Sequence, residues 1–149
     1  MRFSLKSDYA LRAALDLALH SSATRLVRTA DIALRTGAPA KFLEAVLGQL
    51  RRAGIAHSER GSRGGHRLAR PPGRVRAGDV IRAVEGPDGL SVRPGGKGPT
   101  DPAGGAAARA LHHLWMEADG AVAASLDGVT LEDLVRRVQQ ASGGTDYAI

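Results

Sequence analysis

Residues 57 to 70 read HSERGSRGGHRLAR: four arginines, two histidines and a Gly-Ser-Arg-Gly-Gly centre, with Glu59 as the single acid. A loop that only reverses the chain needs a glycine or two and has no use for so much like charge at close quarters. The stretch is therefore read as a surface that meets a polyanion, against the blander alternative of a solvated basic face. Its flanks give it a shape. Residues 55–59 and 66–69 are short extended or alternating runs, and the glycine-rich centre between them predicts a β-hairpin that ends at Pro71-Pro72.

Upstream, residues 39–53 place Phe42, Leu43, Val46, Leu47 and Leu50 on one side of a helix, the spacing of a buried face. Pro39 suits its first turn, where a missing N–H costs nothing. Arg51 and Arg52 close the helix and Gly54 stops it. The opposite side carries Ala40, Lys41, Glu44, Ala45 and Gly48. A mid-helix glycine costs about 1 kcal/mol relative to alanine, so either something approaches this face closely or Gly48 packs against the first helix. Before it, Thr29 is placed as the cap of a short helix over residues 30–36 that Gly37 ends. Residues 7–20 read as an amphipathic helix with Leu11, Ala14, Leu15 and Ala18 on its stripe and Arg12 and Asp16 off it. Helix, short helix, helix, hairpin is the order of a winged helix-turn-helix, in which the third helix enters the DNA major groove.

Downstream, residues 77–85 form a short helix with Val80, Ile81 and Val84 apolar. Residues 86–105 hold seven glycines and four prolines, the composition of a flexible loop. A longer helix over residues 106–126 carries Leu111, Leu114, Trp115, Ala118 and Val122 along one seam. Thr130 and Asp133 then open a last helix as a capping box. The expected organisation is a DNA-binding domain over 1–85, a loop over 86–105, dimerisation helices over 106–141 and a frayed tail over 142–149. The seam could fill a monomeric core, but one small winged-helix core has little to offer a second apolar helix. A homodimer is the easier solution, and a two-fold axis would set the spacing of two wings on DNA.

Composition bounds the function. The 149 residues contain no cysteine, which excludes disulfides, thiolate zinc sites and cysteine-ligated iron-sulfur clusters, and is compatible with a reducing cytoplasm. The first apolar stretch, residues 9–19, is broken by Arg12 and Asp16, so neither a signal peptide nor a membrane span is expected and the chain is read as soluble, unprocessed and cytoplasmic. Through Arg76 there are 15 Lys and Arg against 5 acids, giving +10; beyond it 6 against 10 give −4, for the net +6. The basic part suits nucleic acid.

Enzyme chemistry finds no foothold. The glycines at 61, 64 and 65 are followed by neither Gly-Lys-Ser/Thr nor a helix, so they form neither a phosphate loop nor a dinucleotide fingerprint. No nucleophile motif surrounds any serine. His112 and His113 are neighbours and point about 100° apart on a helix, so they cannot chelate one metal together; one flanks the seam beside Trp115 and the other is solvated. His57 and His66 either pair across the hairpin or meet phosphate or solvent. His20 ends the first helix, where a dipole contact suffices.

Taken in order, SLKSDYALRAALDLAL, TADIALRTGAPAKFLEAVLGQLRRAGI, RGSRGGHRLAR, AGDVIRAVEG and VTLEDL resemble the Rrf-two family of bacterial winged-helix transcription regulators, which includes the IscR, NsrR and CymR types. The match runs from Met1 to about Gly86 and resumes more weakly in the C-terminal helices. The resemblance implies a mainly α fold with a small β-hairpin: a winged helix-turn-helix followed by a long dimerisation helix. It also implies a homodimeric regulator, a repressor, on a pseudo-palindromic double-stranded DNA operator. Carried onto this chain, Ala40, Lys41, Glu44 and Ala45 face the major groove, and Arg60 with Arg63 the minor groove. Lys6, Tyr9, Thr29, Arg51, Arg52 and Ser62 are placed at phosphates, and the seam from Leu111 to Val122 at the dimer contact. Ala45 stands where relatives often have glutamine, a departure that bears on base preference. Relatives that sense iron-sulfur status or nitric oxide use three cysteines in the loop before the dimer helix; here that loop reads SVRPGGKGPTDPAGG and no such cluster is expected. Asp8 matches an acidic ligand position of some relatives and is read as an exposed helix-start acid. The effector stays open between a small molecule, a protein partner and none. A winged-helix module for RNA or a protein partner is the alternative.

Overall fold

The computed structural model describes residues 3–93 and 105–146. In chain order these form α1 (Leu5–His20), α2 (Thr29–Thr36), α3 (Ala40–Arg52), β1 (Ala56–Glu59), β2 (Gly65–Leu68), a 3-10 turn at Pro72–Arg74, α4 (Ala77–Glu85), α5 (Gly105–Asp127) and α6 (Leu131–Asp146). The architecture is mainly helical with one two-stranded antiparallel hairpin.

The Ser4 hydroxyl starts α1 by accepting the Ser7 N–H at 3.2 Å. The buried stripe of α1 is Ser7, Ala10, Ala13, Ala14 and Leu17, rotated from the expected Leu11, Ala14, Leu15 and Ala18. Small side chains on this stripe let α3 and α4 come close. Asp16, expected off the stripe, is only 5% exposed. It is held there by Arg35 of α2, whose Nε and Nη2 donate to its two carboxylate oxygens at 2.8 and 2.9 Å.

Two further expectations change. Helix α2 begins at Thr29 itself, with Arg28 as the cap residue and no side-chain cap bond, since a guanidinium offers no acceptor; the Thr29 hydroxyl meets His66 instead. Gly37 does end α2, in the left-handed region at φ +73°. In α3, Leu43, Val46, Leu47 and Leu50 are buried as the spacing predicts, but Phe42 is 39% exposed. It lies at the margin of the apolar arc and meets Tyr9 edge-on, with ring centroids 5.4 Å apart.

The hairpin register pairs Ala56 with Leu68, His57 with Arg67, Ser58 with His66 and Glu59 with Gly65. His57 and His66 therefore do not meet; His57 lies 3.3 Å from Glu59. Val27, in the α1–α2 connection, adds a third rung, donating to the His66 carbonyl at 2.8 Å and accepting the His66 N–H at 2.7 Å.

The core gathers α1, α3 and α4 around Leu17, Leu43, Leu47, Leu50, Val75 and Val80. Leu131, at the start of α6, is fully buried in the same core, and Leu131 N–H to Val75 O and Ala77 N–H to Val129 O, both 2.9 Å, pin it there. The capping box forms as read, with Asp133 N–H on the Thr130 hydroxyl at 3.1 Å and Thr130 N–H on the Asp133 carboxylate at 2.9 Å. The packing thus crosses the expected boundary between an N-terminal domain and C-terminal helices. Where a frayed tail was expected from 142, α6 runs on to Asp146, and the Ser142 hydroxyl bonds back to the Val138 carbonyl at 2.9 Å. Residues 147–149 lie outside the described residues.

Of the loop expected over 86–105, residues 94–104 also lie outside them, while the part before them is docked. Leu90 is buried. Val92 N–H reaches Asp119 of α5 at 2.7 Å, and Arg93 Nε reaches the same carboxylate at 2.7 Å. The C-terminal end of α5 is clamped to α4 by Arg82, which donates to both oxygens of Asp127 at 2.8 and 2.7 Å. No residue of α5 is buried.

Candidate nucleic-acid interface

With Leu43, Val46, Leu47 and Leu50 turned into the core, helical geometry turns Ala40, Lys41, Glu44 and Ala45 outward, and all four are exposed. Among the described residues no hydrogen bond or ion pair engages Lys41 or Glu44, so both are available to a ligand. A Cβ built on Gly48 would meet only the flexible tip of Arg52, at 3.6 Å. Gly48 is not packed against α1. It lies on the open side of α3, where a close approach is unobstructed.

The wing, β1 and β2 with the tip between them, follows the end of α3. Arg60, Ser62 and Arg63 are exposed at its tip, and the tip's shape depends on glycine. A Cβ on Gly64 would fall 2.2 Å from the Glu59 carbonyl oxygen, and Gly61 adopts φ +104°, where other residues are strained. Arg51 and Arg52 are exposed at the end of α3. Arg60, Arg63 and Arg52 carry no ion pair among the described residues, which leaves an open basic edge.

The structure also shows how the wing is aimed. The His66 ring sits between the Thr29 hydroxyl, 2.9 Å from Nε2, and the Ser58 hydroxyl, 2.7 Å from Nδ1. Burial first, and the nearby Arg51 charge second, hold its pKa below the ordinary imidazole value, so the ring is neutral at pH 7 and can accept from one hydroxyl while donating to the other. Arg28 reaches from the start of α2 to the Ser62 carbonyl in the wing tip. Together with the Val27 rung, these contacts tie the wing to the helix-turn-helix. Sequence reasoning missed Arg28, Val27 and His66 in this role. The one available signal was the apolar Leu26-Val27 pair just before α2, short enough to be an unrecognised strand.

The remaining candidates are placed unevenly. Tyr9 touches the first turn of α3 through Phe42. Thr29 sits at the start of α2, but its hydroxyl is committed to His66. Lys6 lies close to Glu85, whose carboxyl is held below the usual range by bonds from Ser4 and Ser7 and, to a smaller extent, by the Lys6 charge. Asp8 is exposed and pairs with Arg12 at 2.7 Å. Leu111, Leu114 and Trp115 of α5 are 57%, 54% and 36% exposed, while Ala118 and Val122 are half-buried. His112 and His113 lie side by side on this helix, with rings 6.2 Å apart.

A recognition helix with a polar outer face, followed by a basic glycine-tipped hairpin, defines a winged helix-turn-helix transcriptional regulator. The family model for Rrf2, described as an iron-dependent transcriptional regulator, matches residues 3–137, and the chain belongs to that family. The HTH-type transcriptional regulator IscR of Photobacterium profundum is 37% identical over 153 residues, spanning 100% of this chain and 85% of that protein. Among solved structures, CymR (YrzC), the global cysteine regulator of B. subtilis, matches with TM-score 0.73 and 31% identity over 92% of this chain and 98% of that one. T. potens IscR matches with TM-score 0.73 and 29% identity over 95% and 90%. The relatives are transcriptional regulators, not enzymes.

The family description names iron, which needs a converging set of donor side chains. The chain has no thiol, and among the described residues no three His, Asp or Glu side chains converge as metal ligands. The residues present do not fit a thiolate-ligated cluster. No helix among the described residues is long and apolar enough to cross a membrane.

Proposed function

We propose that this Rrf2 regulator works as a homodimer that represses transcription from a pseudo-palindromic duplex operator, in the cytoplasm and without an iron-sulfur cluster. Lys41 and Glu44 read base edges in the major groove. A lysine ammonium suits guanine O6 and N7, and a carboxylate accepts from the cytosine N4 amino group. Arg60 and Arg63 enter a narrowed A·T-rich minor groove. Arg51, Arg52, Ser62, Tyr9 and the start of α2 at Thr29 hold phosphates, and Lys6 does so more weakly, its charge being shared with Glu85. Ala40 and Ala45 keep the helix face low enough to enter the groove, with Ala45 offering a methyl to thymine.

The observation that carries this reading is an exposed, uncommitted outer face on α3 together with an exposed, uncommitted arginine pair on a wing that is hydrogen-bonded to α2. Dimerisation is supported by the exposed Leu111, Leu114 and Trp115. Two wings related by a two-fold axis give the half-site spacing that such regulators need. The test is selection of bound fragments from genomic DNA. The expected result is an inverted repeat protected on duplex DNA; preferential recovery of single-stranded RNA would overturn the reading.

A further inference from the structure

A cleft of about 310 Å³ opens where the end of α3, the base of the wing and α4 converge. Ala53, Ile55, Ala83 and Pro87 give it apolar walls, and Arg70, Asp79 and Arg82 its polar groups. Two of these three are already satisfied. Arg82 is bound to both oxygens of Asp127, and the Asp79 carboxylate accepts the Arg76 N–H at 3.0 Å. Arg70 is not. Its Nε is buried and has no hydrogen-bond partner among the described residues. Buried guanidinium donors are seldom left unmet, because desolvation without a partner is costly. A planar fork of donors beside apolar walls is complementary to a carboxylate on a small apolar body.

We infer that this cleft is a binding site for a small organic carboxylate, with the acid group on Arg70 and the apolar part against Ala53, Ala83 and Pro87. Arg82 is engaged by Asp127, whereas Arg70 carries no ion pair among the described residues, so a single acid group on Arg70 is the charge the cleft suits. A bound molecule would touch the recognition helix end and α4 together, and α4 is clamped to α5 through Asp127. As an effector site the cleft rests on the regulator reading above; as a binding site it does not. Arg70 also borders a second cleft of about 270 Å³ that includes Ala23 and Arg67. The first is preferred because its lining includes Asp79, Arg82 and Ala83 of α4, the helix that Arg82 clamps to α5.

The test titrates the full chain with sodium benzoate, sodium hexanoate and benzamide, following the Arg70 Nε–Hε signal by NMR and the heat of binding. At least one acid should saturate with Kd of about 1 mM, and benzamide, isosteric with benzoate but uncharged, should bind about tenfold more weakly than benzoate. Arg70→Met should weaken the acid about tenfold, and so should Ala53→Trp, which crowds the cleft from an exposed position and guards against a folding defect in the first variant. Ala23→Trp, in the second cleft, should leave binding unchanged. The inference is overturned if neither acid saturates, if benzamide binds as well as benzoate, if affinity survives both Arg70→Met and Ala53→Trp, or if Ala23→Trp abolishes it. Duplex affinity of the same samples, measured without ligand, keeps failure of this site separate from failure of the DNA-binding reading.

Discussion

Helices α3 and α5 are both amphipathic, and the chain treats them in opposite ways. The apolar side of α3 is enclosed by α1 and α4, with Leu43, Val46, Leu47 and Leu50 all but inaccessible to solvent. Helix α5 is tied through its C-terminal half, by Asp119 to the 91–93 segment and by Asp127 to Arg82, and ahead of these ties Leu111, Leu114, Trp115 and Met116 face outward. The contrast teaches which surface is for what. A helix whose apolar side is enclosed by its own chain has only its polar side left to offer, and α3 offers Lys41 and Glu44 beside the wing. A helix whose apolar side is open has not finished folding its surface, and burial of that side needs another molecule.

The contrast can be broken most forcefully at Leu47. Leu47→Ala removes a fully buried side chain and leaves a cavity, and should cost about 2–5 kcal/mol in chemical unfolding. A loss under about 1 kcal/mol would mean that α3 is not enclosed as described. Next comes Trp115→Glu, placed on the open helix. It should leave the helical content unchanged and move the particle in sedimentation from twice the 15.5 kDa chain mass to once, a loss of about 2 kcal/mol at a central interface aromatic. Unchanged sedimentation, with the wild type a dimer, would place the contact elsewhere.

The smallest effect is expected from pH. The His66 pKa lies below its unfolded value, so as pH falls below about 6.5 the unfolded chain takes up a proton that the folded chain resists. Stability therefore drops through that range and levels off once the folded pKa is passed. His66→Gln keeps a polar link between Thr29 and Ser58 without a titrating ring, and should remove this contribution. An identical acid dependence of unfolding in both proteins would show that His66 is not the group responsible.

Much of the fold was legible because local signals agreed with it. The Ala77–Glu85 helix, the Gly37 stop, the buried side of α3 and the Thr130–Asp133 capping box all follow from spacing and cap chemistry within a few residues. What escaped depends on groups far apart in sequence. Asp16 is buried because Arg35, 19 residues away, binds it, and no helical wheel contains that partner. The α1 stripe was misplaced for the same reason: alanine and leucine positions offer two arcs, and only the approach of α3 and α4 chooses between them. Whether His57 and His66 pair is open in the sequence because the register, which sets His57 against Arg67 and Ser58 against His66, depends on a five-residue tip whose glycines allow more than one closure. For the DNA-facing surface, residue type and spacing indicated the outer face of α3 and the wing arginines. The His66–Thr29 and Arg28–Ser62 ties, which set the wing's angle, were out of reach because they join different elements.

The central claim is that the outer face of α3 and the arginines of the wing hold duplex DNA together. The most direct measurement is duplex affinity by fluorescence anisotropy across a salt series, for the wild type and for the Arg60→Ala/Arg63→Ala variant. The wild type should bind tightly at low salt and lose affinity steeply. The double variant should bind about tenfold or more weakly, with a log–log slope shallower by about 1 to 2. Superimposable curves, or a wild type that ignores duplex DNA even in dilute buffer, would contradict the account.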